Sequence, residues 1–270
     1  MTFKIVTLGC KLNFAESSAL GKVLLSQGYA RALPGEPADL VIVNTCSVTD
    51  TADHKDRQAI HRVKRENPSA KLIVTGCYAR LKPEEILRMT EVDEVRQKDD
   101  TLFTPALSYD DRTRCFLKVQ DGCNNFCTYC TIPFARGRSR NPHIAELVTL
   151  AQEALTLGAK EIVLTGVNIG DFGRSTGETF LQLIQALDHL EGQYRVRIGS
   201  VEPDLLTDNI IDCVATGKHI APHFHIPLQS GANEVLKIMH RHYTREFFRA
   251  RVERIRATLP DAFIGVDCMV

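Results

Sequence analysis

Cys123, Cys127 and Cys130 lie in the run Asp121-Gly-Cys-Asn-Asn-Phe-Cys-Thr-Tyr-Cys-Thr-Ile-Pro133, spaced C-x₃-C-x₂-C after an apolar stretch that reads as a strand. Three thiolates in so short a loop can hold three irons of a 4Fe–4S cubane and leave the fourth iron open. A cluster closed by four protein ligands suits electron transfer, whereas an open iron can take a cofactor or substrate. A structural zinc ion is the alternative at this point, because C-x₂-C pairs are common in zinc sites. A zinc ribbon would need a second close C-x₂-C pair, and none follows.

A second trio is dispersed through the first third of the chain. Phe3–Leu8, Leu40–Val43 and Leu72–Val74 are short, β-branched apolar runs that end at Cys10, Cys46 and Cys77. Each precedes a helical stretch: Ala15–Gln27 closed by Gly28, Thr51–Glu66 capped by Asp50 and ended by Asn67-Pro68, and Glu84–Met89 opened by Pro83. Such runs read as buried strands of a parallel sheet, whose carboxyl ends are where ligands bind in open α/β folds. One cysteine there would be read as core. Three of them, each one step past a strand, point to a site. If they hold a second cubane, their sulfurs must converge to on the order of 6–7 Å. Cys115 and Cys268, inside apolar strands, and Cys213, within the helical stretch Asn209–Ala215, are expected to be buried core residues away from both trios.

The elements that must position these residues follow a βα rhythm. Residues 96–112, with Lys98-Asp-Asp100 and Asp110-Asp-Arg112, interrupt it and read as a linker between units 1–104 and 112–270. Beyond it, strands are expected at Cys115–Gln120, Glu161–Leu164, Tyr194–Ile198, His223–Pro227 and Phe263–Met269, with helices at Ile144–Leu157, Thr179–Leu190 and Arg245–Leu259. The expected fold class is α/β, an open parallel-sheet unit followed by a (β/α) barrel with chemistry at the strand ends. The last strand stops without turn or polar tail, so the chain reads as a fragment with an incomplete barrel. Lys plus Arg equals Asp plus Glu at 33 each, which gives no nucleic-acid-like basic excess to the chain as a whole. No stretch is long enough to span a membrane and no signal peptide opens the chain. The nine cysteines therefore read as reduced thiols in the cytoplasm.

Two cysteine trios, one local and one assembled by the fold, resemble the radical S-adenosylmethionine (SAM) methylthiotransferase family. The resemblance covers the whole chain through Thr7-Leu-Gly-Cys-Lys-Leu-Asn13, Asn44-Thr-Cys46, Thr75-Gly-Cys77, Val119–Cys130, Thr165-Gly-Val-Asn168, Ser200-Val-Glu-Pro203, His225-Ile-Pro-Leu-Gln-Ser-Gly231 and Met239-His-Arg-His-Tyr-Thr244. It implies an N-terminal iron–sulfur domain, a radical-SAM barrel and, in family members, a C-terminal RNA-binding TRAM domain, which is expected to be missing from this fragment. It implies two 4Fe–4S clusters, held by Cys10, Cys46 and Cys77 and by Cys123, Cys127 and Cys130, with SAM as cofactor. No catalytic residue beyond the cluster ligands is implied. Tyr129 would stack on adenine, Gly166 would let the backbone approach a ligand, and Asn168 would accept from the SAM ammonium. Glu202 would hold ribose hydroxyls and Gln229 polar SAM or substrate atoms. Asn168 ends a Gly-Val-Asn run where many radical-SAM enzymes have Gly-Gly-Glu. The implied activity is insertion of a methylthio group into tRNA beside the anticodon, with an outside electron donor and neither DNA nor membrane as partner. Leu8-Gly-Cys-Lys-Leu-Asn13 is most similar to enzymes acting at C2 of N6-threonylcarbamoyladenosine. The isopentenyladenosine enzymes tend to have Gly-Cys-Gln-Met-Asn, and those acting on a ribosomal protein Gly-Cys-Pro-Lys-Asn. A non-catalytic two-cluster electron carrier is the alternative from another class. Arg136-Gly-Arg-Ser-Arg140 is a candidate phosphate or carboxylate contact. The basic stretch His54–Arg65 reads either as an RNA contact or as a solvated helix face.

Overall fold

The computed structural model describes residues 1–97, 103–108 and 114–269. The first unit runs β1 (Thr2–Thr7), α1 (Lys11–Ser26), β2 (Ala30–Arg31), β3 (Leu40–Thr45), α2 (Asp50–Glu66), β4 (Lys71–Gly76), α3 (Cys77–Leu81), α4 (Pro83–Leu87) and β5 (Glu94–Val95). Its five strands are all parallel in the order β2-β1-β3-β4-β5. All six residues of β3 are buried, because both faces of the sheet are covered. Leu40 and Ile42 join Phe3, Leu24 and Ile73 in one layer, while Val41 and Val43 join Ile60, Val63, Leu72 and Ile86 in the other. Two-residue alternation along a strand produces this division.

The strand order reverses between β1 and β3, so the connections leaving these strands diverge and open a crevice. Cys10, Cys46 and Cys77 follow β1, β3 and β4, three neighbouring strands, at their carboxyl ends. Helix α1 starts four residues before the expected Ala15. Gly9, at φ 98°, turns the chain, and extended Cys10 occupies the cap position without a side-chain capping bond. In α2 the cap is Thr49, whose hydroxyl accepts from the Ala52 amide at 3.1 Å, and Asp50 sits inside the first turn, where a negative charge favours the helix dipole.

The second unit contains β6 (Ala106–Leu107), β7 (Arg114–Lys118), α5 (Ile132–Arg136), α6 (Ile144–Thr156), β8 (Glu161–Thr165), α7 (Phe180–Asp188), β9 (Arg195–Arg197), α8 (Asp208–Thr216), β10 (His223–His225), α9 (Asn233–Ile238), α10 (Arg245–Thr258) and β11 (Phe263–Gly265). β7, β8 and β9 pair in parallel, as do β10 and β11, and bridges at Val196–Ile220 and Ser200–His225 join the two groups. The result is an open five-strand arc of a barrel. Helices α6, α7 and α8 bury Leu147, Ala151, Leu183, Ile184, Leu187 and Ile211 against it.

Residues 98–102 and 109–112 of the expected linker lie outside the described residues. The part between them is not plain linker: β6 pairs antiparallel with β7 and extends the arc. Helix α1 packs on β6 and β7, and α3 packs on α5, so the two units share an interface. Cys115 is buried on β7 as expected. Cys213 is only half-buried, and Cys268 is exposed, contrary to expectation. β11 is the outermost strand of the arc, and Phe263, Val266 and Met269 around it are exposed as well.

Candidate functional site

A cavity of about 780 Å³ lies between the units. One wall carries Gly9, Cys10, Lys11, Cys46, Val48 and Cys77; the other carries the barrel residues Phe116, Ile132, Arg136, Leu164, Thr165, Gly166, Gly199 and Ser200. The fold thus brings Cys10, Cys46 and Cys77 to one space. Gly9 is required for this closeness, since a Cβ there would stand 2.6 Å from Cys46 Cβ and 2.8 Å from its Sγ. Burial, reinforced by the neighbouring Cys77 and Cys10, pushes the Cys46 thiol up to about 11. Its amide donates to the Asp56 carboxylate at 3.0 Å, and burial pushes that carboxyl up to about 7. Metal coordination would overcome the thiol's reluctance to ionise, because a coordinating thiol is deprotonated outright.

Asn13 braces the trio. Its amide nitrogen donates to Leu8 O at 2.7 Å and Thr45 O at 2.9 Å, tying together the segments that deliver Cys10 and Cys46. Its oxygen accepts from Arg136 on α5 at 2.5 Å. Arg136 is buried, although it was a candidate phosphate contact in the sequence. It pairs with Glu16 at 3.2 Å and Asp121 at 3.1 Å, while Lys118 reaches the same two carboxylates at 2.9 and 2.7 Å. Arg140 is likewise engaged, with the Arg136 and Arg138 carbonyls and Asp121, which leaves Arg138 as the exposed arginine of that run. Burial alone would raise the Asp121 carboxyl; Lys118 and Arg136 more than reverse this and hold it below the ordinary carboxylate range.

The Cys123–Cys130 loop begins at Gly122, whose φ is 70°; a Cβ at this position would come within 2.0 Å of the Arg138 carbonyl oxygen, so no side chain fits. Gln120, which the sequence reading passed over, organises the loop. Fully buried, it donates to Asp121 O, Gly122 O and Ser139 Oγ, and it accepts from the Val167 and Asn168 amides at 3.0 and 2.8 Å. One amide therefore fixes both the cysteine loop and the Gly166–Asn168 turn. Glutamine after a strand carries no distinctive sequence signal, so its role emerges only in three dimensions.

The proposed cofactor residues divide. Gly166 lines the cavity, but a Cβ there would meet Ile169 at 2.7 Å and Gln120 O at 2.9 Å, so the chain's own packing already requires glycine. Asn168 is buried, with an Oδ1 that has no hydrogen-bond partner among the described residues. Glu202 gives both oxygens to Arg241 at 2.7 Å each, and Arg241 also donates to the Tyr129 hydroxyl. Burial raises the Glu202 carboxyl, against the pull of Arg241. Cys123 and Cys127 lie in the field of Glu202, and Cys127 in that of Arg241. Tyr129 is roughly half-exposed, and Gln229 adopts φ 64° with its backbone bonded to Asp267 and Met269.

Ser200 on the cavity wall bonds His225 Nδ1 at 2.5 Å, and His225 Nε2 stands 3.4 Å from Asp267. These residues, missed as a group, come from the ends of three successive strands. His219 and His223, spaced H-x₃-H, form no common site: one stacks on Tyr194 and the other on Phe263. Among the described residues no three His, Cys, Asp or Glu side chains are placed to share a single metal ion.

Residues 2–96 match the model described as "Uncharacterized protein family UPF0004", and residues 117–270 match that of the Radical SAM superfamily. A threonylcarbamoyladenosine tRNA methylthiotransferase MtaB of Aquifex aeolicus is 34% identical over 98% of this chain and 72% of its own length. The chain belongs to the radical-SAM methylthiotransferase family. The MtaB of Bacillus subtilis is 40% identical over 98% of this chain and 65% of its own. A tRNA-2-methylthio-N(6)-dimethylallyladenosine synthase of Carboxydothermus hydrogenoformans is 31% identical over 100% and 69%. This family member thus spans about two thirds of the length of its curated relatives. In fold it is similar to the cobalamin-dependent radical-SAM enzyme OxsB (TM-score 0.65, 12% identity, 99% of this chain, 49% of that one). It is equally similar to the radical-SAM methyltransferase TsrM of Kitasatospora setae (TM-score 0.66, 12%, 99% and 67%). No helix among the described residues is long and apolar enough to cross a membrane.

Proposed function

We propose that the chain is the catalytic part of a cytoplasmic tRNA methylthiotransferase that replaces C2–H of N6-threonylcarbamoyladenosine, beside the anticodon, by C2–SCH₃. Its iron–sulfur domain would be residues 1–104 and its barrel domain 112–270. The observation that carries this reading is the shared cavity, where Cys10, Cys46 and Cys77 face barrel strand ends across one space. Both donor sets suit iron–sulfur clusters: three soft thiols each, with no carboxylate among them. The unpartnered Oδ1 of Asn168 is a ready acceptor for an ammonium group such as that of SAM.

When bound, a cluster at each trio and SAM would supply the electron transfer, hydrogen abstraction and sulfur donation that side chains cannot. Cys123, Cys127 and Cys130 would hold the barrel cluster, and Cys10, Cys46 and Cys77 the other. Gln120 keeps the cysteine loop and the Asn168 turn in one geometry. Arg241 fixes Glu202 and Tyr129 beside the loop. Asn13 and Arg136 hold the N-terminal trio against the barrel. A base splayed out of the anticodon loop can reach such a cavity, which a stacked base cannot. The rival within the family is an isopentenyladenosine substrate.

Nucleoside mass spectrometry of tRNA from a strain lacking the gene tests the reading. The expected result is loss of the methylthio derivative of threonylcarbamoyladenosine, restored by the wild-type gene but by neither the Cys10/Cys46/Cys77 nor the Cys123/Cys127/Cys130 triple alanine variant. The purified Cys10/Cys46/Cys77 variant should still form 5′-deoxyadenosine from SAM, and the Cys123/Cys127/Cys130 variant should not. Loss of the isopentenyl derivative instead would transfer the proposal to the other base.

A further inference from the structure

The charge inside the cavity is unevenly committed. Two cations stand on its wall, Arg136 and Lys11, and no carboxylate does. Arg136 is spent on Glu16, Asp121 and Asn13. Lys11 forms no ion pair or hydrogen bond among the described residues, and it is exposed. It directly follows Cys10 and lines the same cavity as Cys46 and Cys77, the trio that would deliver sulfur. Its field extends across to the barrel: on β10, burial first, and then cations including Arg197 and Lys11, hold the His223 imidazole below its ordinary range. A free ammonium in a cavity without acids is a receptor for an anion.

The substrate class under "Proposed function" provides one. Adenine presents N6, N1 and C2 along a single edge, so a threonylcarbamoyl group on N6 lies on the same edge as the reacting carbon and ends in a carboxylate. An isopentenyl group on N6 has no charge. We propose that Lys11 is the specificity residue that pairs with the carboxylate of the N6 substituent, and so separates acidic from apolar modified adenosines. The proposal rests on the tRNA reading and deepens it. A lysine ammonium is a compact point charge on a flexible stem, able to follow a mobile carboxylate.

The test is equilibrium dialysis of nucleosides against purified protein with measured iron content. The probes are N6-threonylcarbamoyladenosine, its methyl ester and N6-isopentenyladenosine. Wild type should bind the acid on the order of tenfold more tightly than the ester, the ratio expected when a charged hydrogen bond is lost. Lys11→Gln should remove that ratio and leave ester binding alone, whereas Lys11→Arg should retain it. Added salt should weaken binding of the acid and not of the ester. SAM also carries a carboxylate, so its affinity is measured in parallel. A Lys11→Gln loss confined to SAM, or unchanged preference for the acid, would overturn the assignment. Failure of the base reading itself would register separately, in the tRNA nucleoside profile.

Discussion

Replacing Asp121 by Asn probes the ionic cluster that joins the two units. Asp121 is buried and takes Lys118 at 2.7 Å, Arg136 at 3.1 Å and Arg140 at 3.4 Å. The isosteric amide introduced by Asp121→Asn would keep the bond from the Gly122 amide to the side-chain oxygen, 2.8 Å in the native chain, so the local turn survives. What disappears is one of two carboxylates facing two buried cations, with Glu16 left to serve both. Breaking a buried pair by removing one partner typically costs about 3–5 kcal/mol, because a charge is left uncompensated out of water. At roughly 2 °C per kcal/mol for a chain of this size, the midpoint should fall by about 6–10 °C. Urea titration and calorimetry of the cluster-free protein would measure it. The pH dependence has a definite sign. The folded carboxyl is held below its unfolded value, so its stabilisation is full above the ordinary carboxylate range and is lost as pH falls through the folded value. Asp121→Asn should therefore flatten the acid limb of stability against pH. Adding Lys118→Met to Asp121→Asn should recover part of the loss, since the orphaned cation goes with it. A destabilisation below about 1 kcal/mol, or no recovery in the double variant, would refute the view of Asp121 as the hub.

Gln120→Leu should cost about 2–4 kcal/mol, because it leaves several buried backbone groups of the cysteine loop and the Asn168 turn unpaired; it should also weaken SAM binding by equilibrium dialysis, and unchanged values of both would discount the staple. Thiol alkylation at pH 8 should label Cys268 rapidly and spare Cys115, whose thiol burial pushes up to about 11; comparable rates at the two, by peptide mass mapping, would count against that placement.

The βα rhythm and both cysteine trios were legible because their signals are local. A buried parallel strand needs an unbroken apolar run, and a thiol past its end is visible in one dimension. The strands and helices that were read from the sequence lie within a few residues of those observed, whereas the short elements β2, α3, β5, β6, α5 and α9 were not read. What escaped was contextual. Arg136 reads as surface charge within Arg-Gly-Arg-Ser-Arg, yet three partners bury it, two of them on a helix more than a hundred residues earlier. Gln120 and the Ser200–His225–Asp267 line depend on which strand ends meet. Helix α1 lacked a conventional cap residue, so its first turn was missed. Cys268 was read from the apolar character of its strand, but apolar character alone does not tell an outermost strand from an interior one.

The Asn13–Arg136 contact also has a meaning in time. The bond spans 123 residues, and Glu16 waits 120 residues for the same arginine. At a synthesis rate of about 5–20 residues per second, roughly 6–25 s separate the emergence of α1 from that of its partner. The parallel-sheet unit can fold in that interval, but the face bearing Asn13 and Glu16 stays wet until the barrel's cysteine loop arrives. The second wall of the cavity is thus finished late, and for some seconds of every nascent chain's life Cys10, Cys46 and Cys77 face open water rather than the barrel.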